Sequence, residues 1–184
     1  MSIPILTLDI DTLSGMTPLR LVVFSLGSNL GDSLETLQGA VTTLAATPGV
    51  DLTGVSSVYR TAPVGGPAQD DYLNLVVTGW SSLPTRVLLE RAQAIEEAFG
   101  RTRLERWGPR TLDIDLVAVG DRHVDSADLT LPHPRAHERA FVLVPWLEVD
   151  PDAVLPGRGR VADLVAGLPV DGVERLTDRE VDLP

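Results

Sequence analysis

The sequence contains no cysteine and no lysine, so all 15 of its basic residues are arginine. Without cysteine there can be no disulfide, no thiolate nucleophile and no cysteine-ligated zinc. Without lysine, Schiff-base chemistry and the lysine of a phosphate-binding P-loop are excluded as well.

Long apolar runs are also missing, since none approaches the ~20 residues that cross a bilayer. The net charge of −11 argues against general binding to nucleic acid or anionic membranes, because both favour positive surfaces. Residues 1–19 are mildly apolar but carry acids and lack the basic start of a signal peptide. We therefore expect a cytoplasmic protein with an N-terminal extension at residues 1–19 and with no nucleic-acid or membrane partner. We also expect a monomer, although neither charge nor composition determines the oligomeric state.

With 184 residues, of which 43% are apolar, the chain is long enough for one domain with a core, which we place at residues 20–184. Runs of β-branched and aromatic residues predict strands, and apolar residues at helical spacing predict helices. The predicted strands are 20–26, 50–60, 72–80 and 111–119; the predicted helices are 33–46, 83–99 and 134–149, with a short amphipathic piece at 161–167. Asp32 or Ser33 can cap the first helix. The order β-α-β-β-α-β, with the helices on one side, favours a two-layer α+β sandwich.

Two aspartates, Asp113 and Asp115, stand two residues apart at the head of the fourth predicted strand. Side chains alternate along a strand, so both carboxylates share one face, with roughly 6 to 7 Å between their backbone positions. The run that follows is apolar on both faces, which is typical of a central, covered strand. Carboxylates at such a place are costly to desolvate unless they are paired or bind a metal. The alternative is an amphipathic strand with one wet face.

Four arginines, Arg101, Arg103, Arg106 and Arg110, lie just upstream, in a protein that is otherwise strongly acidic. Guanidinium groups suit phosphate oxygens, and carboxylates with Mg²⁺ suit the same phosphates. A Mg²⁺–nucleotide site explains both groups of residues, while salt bridges to nearby acids remain the alternative for any single arginine.

Three further segments contain candidate binding residues. The loop GSNLGD, residues 27–32, lies between a strand and a helix, but it matches neither a P-loop nor a dinucleotide-binding loop. Tyr72 and Asn74 share one face of a strand and can hold a flat, hydrogen-bonding heterocycle. His133, close to Arg135, His137 and Arg139, makes a second phosphate-facing patch plausible, although a lone histidine is more often a surface or core residue.

Four blocks, SLGSNLGD, SSVYRTAPVGGPAQDDYLN, RWGPRTLDIDLV and LPHPRAHERAF, resemble the 6-hydroxymethyl-7,8-dihydropterin pyrophosphokinase family in sequence and order. The resemblance runs from about residue 20 to about residue 156, and the RWGPRTLDIDLV block is highly specific. The sequence departs from the family pattern at Ala62, where proline is common, at Pro134, and at Asp128, where some members carry arginine.

The resemblance implies a ferredoxin-like fold with an antiparallel sheet, and transfer of the terminal diphosphate of ATP to the pterin's hydroxymethyl group in folate biosynthesis. It implies two Mg²⁺ ions held by Asp113 and Asp115. The implied catalytic residues are Asp113, Asp115, Arg101 and Arg110. The implied ATP-binding residues are Gln93, Glu96, Arg101, Arg103, Trp107, Arg110, Thr130, His133 and Arg139. The implied pterin-binding residues are Gly27, Thr61, Ala62, Val64, Tyr72, Asn74, Trp107 and Phe141.

Two other functions compete with this one. Another Mg²⁺-dependent phosphotransferase could use a different acceptor alcohol, and a small α+β sandwich could bind a metabolite without chemistry. The pair of aspartates opposite the arginines disfavours the binding module, which needs no carboxylates there.

Overall fold

The structure is a computed structural model, and it describes residues 18–63, 67–100 and 110–184. Within these residues the strands β1 to β10 are Arg20–Ser28, Val50–Val55, Tyr59–Thr61, Tyr72–Ser81, Asp113–Val119, Val124–Asp125, Thr130–Leu131, Val154–Leu155, Gly159–Arg160 and Val173–Arg175. The helices α1 to α4 are Ser33–Ala45, Thr85–Ala98, Ala140–Val149 and Val161–Ala166. No helix in the described ranges is both long and apolar enough to cross a bilayer.

The main sheet is antiparallel, with the order β10-β3-β4-β1-β5, and β2 also pairs with β4. In its register, Gly27 of β1 lies directly between Asn74 of β4 and Asp113 of β5. Two residues along β1, Ser25 lies opposite Asp115. Side chains of directly opposed residues share a face, so this pairing brings an amide and two carboxylates onto one surface.

The strand predicted over residues 50–60 is divided into β2 and β3. At the break, the Ser56 backbone N–H donates to the Val76 carbonyl at 2.9 Å, and the Ser56 hydroxyl accepts from the Val76 N–H at 3.0 Å. A side-chain oxygen thus replaces a backbone acceptor, so the strand is interrupted without leaving the Val76 peptide unpaired.

Helices cover both faces of the sheet, which corrects the prediction of helices on one side. Alternate residues of the central strands, such as Phe24 and Leu26, pack with α1 and α2 in one apolar cluster. The intervening residues, such as Val23, pack with α3 and α4 in a second cluster. The two-layer description therefore holds only for α1 and α2.

The helix predicted over 134–149 is shorter than expected. A 3-10 turn at Ala136–Glu138 precedes α3, which begins at Ala140 and contains Pro145. Of the two caps predicted for the first helix, Asp32 is the one observed, because its Oδ1 accepts from the Glu35 N–H at 3.0 Å.

Candidate active site

The candidate site lies on the part of the sheet that α3 and α4 leave open. Each of the three central strands carries a valine beneath these helices and, on the same face, polar or small residues beyond it. The valines are Val23, Val76 and Val117; the residues beyond them are Ser25 and Gly27 on β1, Asn74 and Tyr72 on β4, and Asp115 and Asp113 on β5. The period of two that buries each valine therefore also directs the site residues to one surface.

Asp113 and Asp115 each contact an arginine. Arg110 Nη1 donates to Asp113 Oδ2 at 2.5 Å, and Arg139 Nη1 donates to Asp115 Oδ2 at 3.0 Å. The side chains of Asp113 and Asp115 are 24% and 32% exposed, so both pairs are partly shielded from water. Arg139 also lies over the Phe141 ring, 5.6 Å from its centre.

Burial, followed by the negative charge of Asp113, raises the pKa of the Asp115 carboxyl above its usual value. His133, when it is protonated, and Arg139 oppose this rise through positive charge. The folded chain therefore resists two adjacent negative charges here, and a bound cation would relieve that repulsion.

His133 lies near the same oxygen of Asp115 as Arg139 does. Its Nδ1 accepts from the Arg135 backbone N–H at 3.2 Å, which leaves the neutral ring's proton on Nε2, 3.7 Å from Asp115 Oδ2. Burial lowers the pKa of His133, and the charge of Asp115 opposes that effect. The neutral ring can therefore donate from Nε2 toward the aspartate or toward a ligand bound beside it.

A cavity of about 550 Å³ opens over this surface, and it brings together most of the residues implied for the pterin. Its lining contains Gly27, Thr61, Ala62, Tyr72, Asn74 and Phe141, as well as Arg110, Asp113, Asp115 and Arg139. Asn74 Nδ2 donates to Thr61 Oγ1 at 2.8 Å, which fixes the orientation of the buried amide. A Cβ atom at Gly27 would lie 3.1 Å from Asn74 Oδ1, so a glycine here lets the amide oxygen approach the β1 backbone.

A second cavity, of about 270 Å³, lies on the other side of Asp115. Thr130 and His133, both implied for ATP, line it. Asp128 also lines it and pairs with Arg86 Nη1 at 3.5 Å, so the acid that departs from the family pattern is accompanied by an arginine of α2. Asp115 borders both cavities, which makes it the junction between them.

The remaining implied residues divide into two groups. Gln93 is exposed on α2 and lines neither cavity, while Glu96 is 3% exposed and its Oε1 accepts from the Ile114 N–H at 2.7 Å. Glu96 thus supports the peptide between the two aspartates. Val64, Arg101, Arg103 and Trp107 lie outside the described residues.

Sequence reasoning missed several residues at the site. Asn29 lies in the GSNLGD loop, and its Nδ2 donates at 2.9 Å both to Gln69 Oε1 and to the Asp70 carbonyl. Gln69, Arg135 and Glu138 line the larger cavity. The position of GSNLGD between a strand and a helix pointed to the region, but nothing local could show that Asn29 binds two distant segments.

The donor set fits a magnesium ion that is shared with a ligand. Among the residues that the structure describes, no group of three or more acids or histidines could hold a metal alone. Mg²⁺ in phosphoryl-transfer sites is usually held by one or two carboxylates together with substrate phosphates and water. Asp113 and Asp115 supply that number of carboxylates, next to a cavity large enough for a ligand.

The family model of 7,8-dihydro-6-hydroxymethylpterin-pyrophosphokinase (HPPK) matches residues 23–151. The chain belongs to the HPPK family. The matched residues include Asp113, Asp115, Arg110 and His133, as well as Tyr72 and Asn74 of β4. The residues of the sheet surface described above therefore lie within the family region, whereas β8, β9, α4 and β10 follow it.

Curated HPPK relatives are similar over most of their length. A 2-amino-4-hydroxy-6-hydroxymethyldihydropteridine pyrophosphokinase of Synechocystis sp. is 49% identical over 138 residues, which cover 75% of this chain and 70% of that protein. The enzyme of the same name from Methylorubrum extorquens is 46% identical over 151 residues, covering 82% and 95%.

Solved structures with an HPPK part share the fold. Wild-type Plasmodium falciparum HPPK-DHPS, solved with pterin and p-hydroxybenzoate, matches with a TM-score of 0.62 and 13% identity. The match covers 84% of this chain and 42% of that one, so this chain spans less than half of the two-part protein. The likeness concerns the fold alone.

Proposed function

We propose that this member of the HPPK family transfers the diphosphate group of ATP to the hydroxymethyl group of 6-hydroxymethyl-7,8-dihydropterin, releasing AMP, in folate biosynthesis. Family membership and the pyrophosphokinase activity for which its relatives are named support this reaction. The observation that carries the assignment to this site is the place of Asp115, which borders both cavities and has Asp113 beside it.

The larger cavity is the proposed pterin site. Its buried Asn74 amide, held by Thr61, can form hydrogen bonds with a flat heterocycle, and the aromatic side chains of Tyr72 and Phe141 line the same cavity. Gly27 and Ala62 contribute backbone at the same cavity, and Val64 and Trp107 are further proposed contacts from outside the described residues.

The smaller cavity is the proposed nucleotide site. Thr130 and His133 are its proposed contacts with ATP, since both line it. Gln93, Glu96, Arg101 and Arg103 are also proposed to serve ATP, on the family resemblance. This arrangement would place the phosphates of ATP next to Asp115, between the adenosine and the pterin.

Asp113 and Asp115 are the proposed holders of two Mg²⁺ ions. When bound, Mg²⁺ would neutralise phosphate charge and orient the phosphates of ATP. The raised pKa of Asp115 supports cation binding at this pair, because a cation favours the ionised carboxylate that the fold alone disfavours.

Arg110 and Arg139 are the proposed phosphate-binding residues of the reaction. Each now donates to one of the aspartates, and a guanidinium released from that contact by ligand binding could donate to phosphate oxygens instead. The substrate hydroxyl oxygen attacks the β-phosphorus, and the bond from that phosphorus to the oxygen that bridges it to the α-phosphorus breaks. AMP leaves with that oxygen, and the hydroxyl proton passes to a general base. The arginines stabilise the negative charge on the transferring group, so catalysis consists mainly of positioning and charge neutralisation. Asp115 is the candidate for this general base.

We further propose a ferredoxin-like core, a single catalytic domain at residues 20–184, and action as a cytoplasmic monomer. Along the sheet, β5 is followed by β1, then by β4, and then by β2 and β3, which both pair with β4. Helix α1 follows β1 in the chain and α2 follows β4, and this arrangement supports a ferredoxin-like fold.

The deciding experiment follows AMP release from ATP and Mg²⁺ with and without the hydroxymethyl dihydropterin. We expect AMP only when the pterin is present, and we expect Asp113→Asn to abolish it. Asp51→Asn is the matched control, because Asp51 is an exposed carboxylate on β2 that lines neither cavity. Release of ADP would indicate another phosphotransferase, and ATP binding without turnover would indicate a binding module.

A further inference from the structure

The C-terminal part of the chain supplies one wall of the larger cavity, although the match to the HPPK family model ends at residue 151. The wall consists of Pro169, Gly172 and Val173. None of these side chains carries a donor or a charge, so the side chains of the wall can affect a ligand only through their shape and apolar surface.

Val173 occupies a defined place on this wall because β10 pairs with β3. In that register Val173 lies opposite Thr61, which orients the Asn74 amide. Directly opposed residues of an antiparallel pair point to the same face of the sheet. The Val173 side chain therefore lies beside Thr61 at the proposed pterin site, and it is half-buried there.

The Glu148 carboxylate, near the end of α3, fixes β10 against the rest of the site. It accepts from the Ser57 hydroxyl at 2.7 Å and from the Tyr59 hydroxyl at 2.8 Å, and it contacts Arg175 Nη2 at 3.2 Å. Arg175 Nε also donates to the Ser57 hydroxyl at 2.8 Å. One carboxylate thus joins α3, the residues before and within β3, and β10.

This network is more shielded than the other ion pair of the same strand. Glu148 is 28% exposed and contacts three different side chains. Glu174 is 59% exposed and, within the described residues, pairs only with Arg60. Glu174 is the neighbour of Val173 and Arg175, so it points to the other face of β10. Exposed ion pairs of this kind contribute little to the free energy of unfolding.

We propose that Val173 determines the width of the pterin cavity, and that Glu148 and Arg175 are positioning residues that hold the Val173 wall in place. The inference depends on the larger cavity being the pterin site, as in the proposed function. It adds a specificity-determining residue that lies beyond the matched family region.

The first test replaces Val173 by phenylalanine, which narrows the cavity without changing backbone pairing. The KM for the pterin should rise about tenfold or more, while the KM for ATP stays within about twofold, because only one cavity is altered.

Gly172→Ala is a second variant, since a Cβ at Gly172 has no atom within 4 Å and should not disturb folding. It should raise the pterin KM by about threefold. Gly167→Ala, which meets its nearest atom at an ordinary 3.6 Å, is the control.

The second test compares Glu148→Gln with Glu174→Gln. Glu148→Gln should raise the KM for the pterin severalfold with little change in kcat or in the KM for ATP, and Glu174→Gln should change none of these three quantities.

An unchanged pterin KM in both Val173→Phe and Gly172→Ala would overturn the role of Val173. Equal effects of the two glutamine variants, or a loss of stability without a change in KM, would overturn the positioning role. If the wild-type enzyme released no AMP with the pterin, the proposed function itself would fail. This outcome is distinct from a failure of the inference, because it is seen in the wild type and does not depend on any variant.

Discussion

Asn29 and Arg110, 81 residues apart in the sequence, bind each other through two hydrogen bonds. The Arg110 backbone N–H donates to Asn29 Oδ1 at 2.9 Å, and the Asn29 backbone N–H donates to the Arg110 carbonyl at 3.1 Å. The Asn29 amide nitrogen meanwhile binds Gln69 and Asp70, so a side chain that is 5% exposed joins three segments at the larger cavity. Asn29 therefore fixes the backbone from which Arg110 reaches Asp113.

Asn29→Asp should distinguish the acceptor role of the Asn29 side chain from its donor role. The variant keeps the acceptor for Arg110 but loses both donors, and it places a carboxylate oxygen against the Gln69 and Asp70 oxygens. We expect a loss of about 2 kcal/mol in the free energy of unfolding, because buried polar groups are left unpaired. Urea denaturation measures this loss. Asn29→Ala removes both sides and should also lower kcat; a variant as stable and active as the wild type would contradict the assignment.

Arg110→Ala should lower kcat/KM by roughly 30-fold or more, equivalent to about 2 kcal/mol of transition-state stabilisation, if Arg110 binds the transferring phosphates. Steady-state assays of AMP release measure the effect. Arg158→Ala is the control, since Arg158 is exposed and lines neither cavity. Unchanged kinetics in Arg110→Ala would remove this residue from the site.

Glu96→Leu should destabilise the protein by about 2 kcal/mol, because the buried Ile114 N–H loses its acceptor. Glu96→Gln retains a side-chain oxygen and should keep most of the stability. Thermal or urea unfolding of the two variants provides the measurement, with the exposed neighbour Glu97→Leu as the control. Equal stability of Glu96→Leu and Glu97→Leu would show that the contact with Ile114 contributes nothing.

The stability of the fold should fall between pH 10 and pH 12 in a way that depends on Tyr59. Burial, followed by the hydrogen bond to Glu148, raises the pKa of Tyr59 from 10.0 to about 12. The stabilisation is complete below pH 10, and it is lost as the pH rises through the folded pKa, since unfolded tyrosine ionises first. At pH 11 the wild type should have lost about 1.4 kcal/mol relative to Tyr59→Phe. Urea denaturation of both proteins at pH 9 and pH 11 measures the difference, and parallel pH profiles would contradict it.

The sequence predicted the local features of the site because they depend on periodicity. The period of two places Asp113 and Asp115 on one face, and it does the same for Tyr72 and Asn74; the cavity lined by all four agrees with both predictions. Helical spacing and the Asp32 cap likewise predicted α1. The roles of individual residues in binding ATP, pterin and magnesium remain predictions from the family resemblance.

The layers of the fold could not be predicted in the same way. Helix α3, AFVLVPWLEV, is apolar on nearly every side, so its sequence contains no stripe that indicates which face of the sheet it covers. The face of the sheet that α3 covers depends on tertiary packing, in which α3 contacts residues such as Val23 and Val76.

Residue chemistry and strand periodicity by themselves thus determined which side chains can act together within one strand. Only the tertiary structure decided that Gly27 lies between Asn74 and Asp113, that Asn29 binds Arg110 and Gln69, and that Val173 borders the same cavity. These relationships join segments that are far apart in the chain. Strand register and packing fix them, and no local pattern encodes either one.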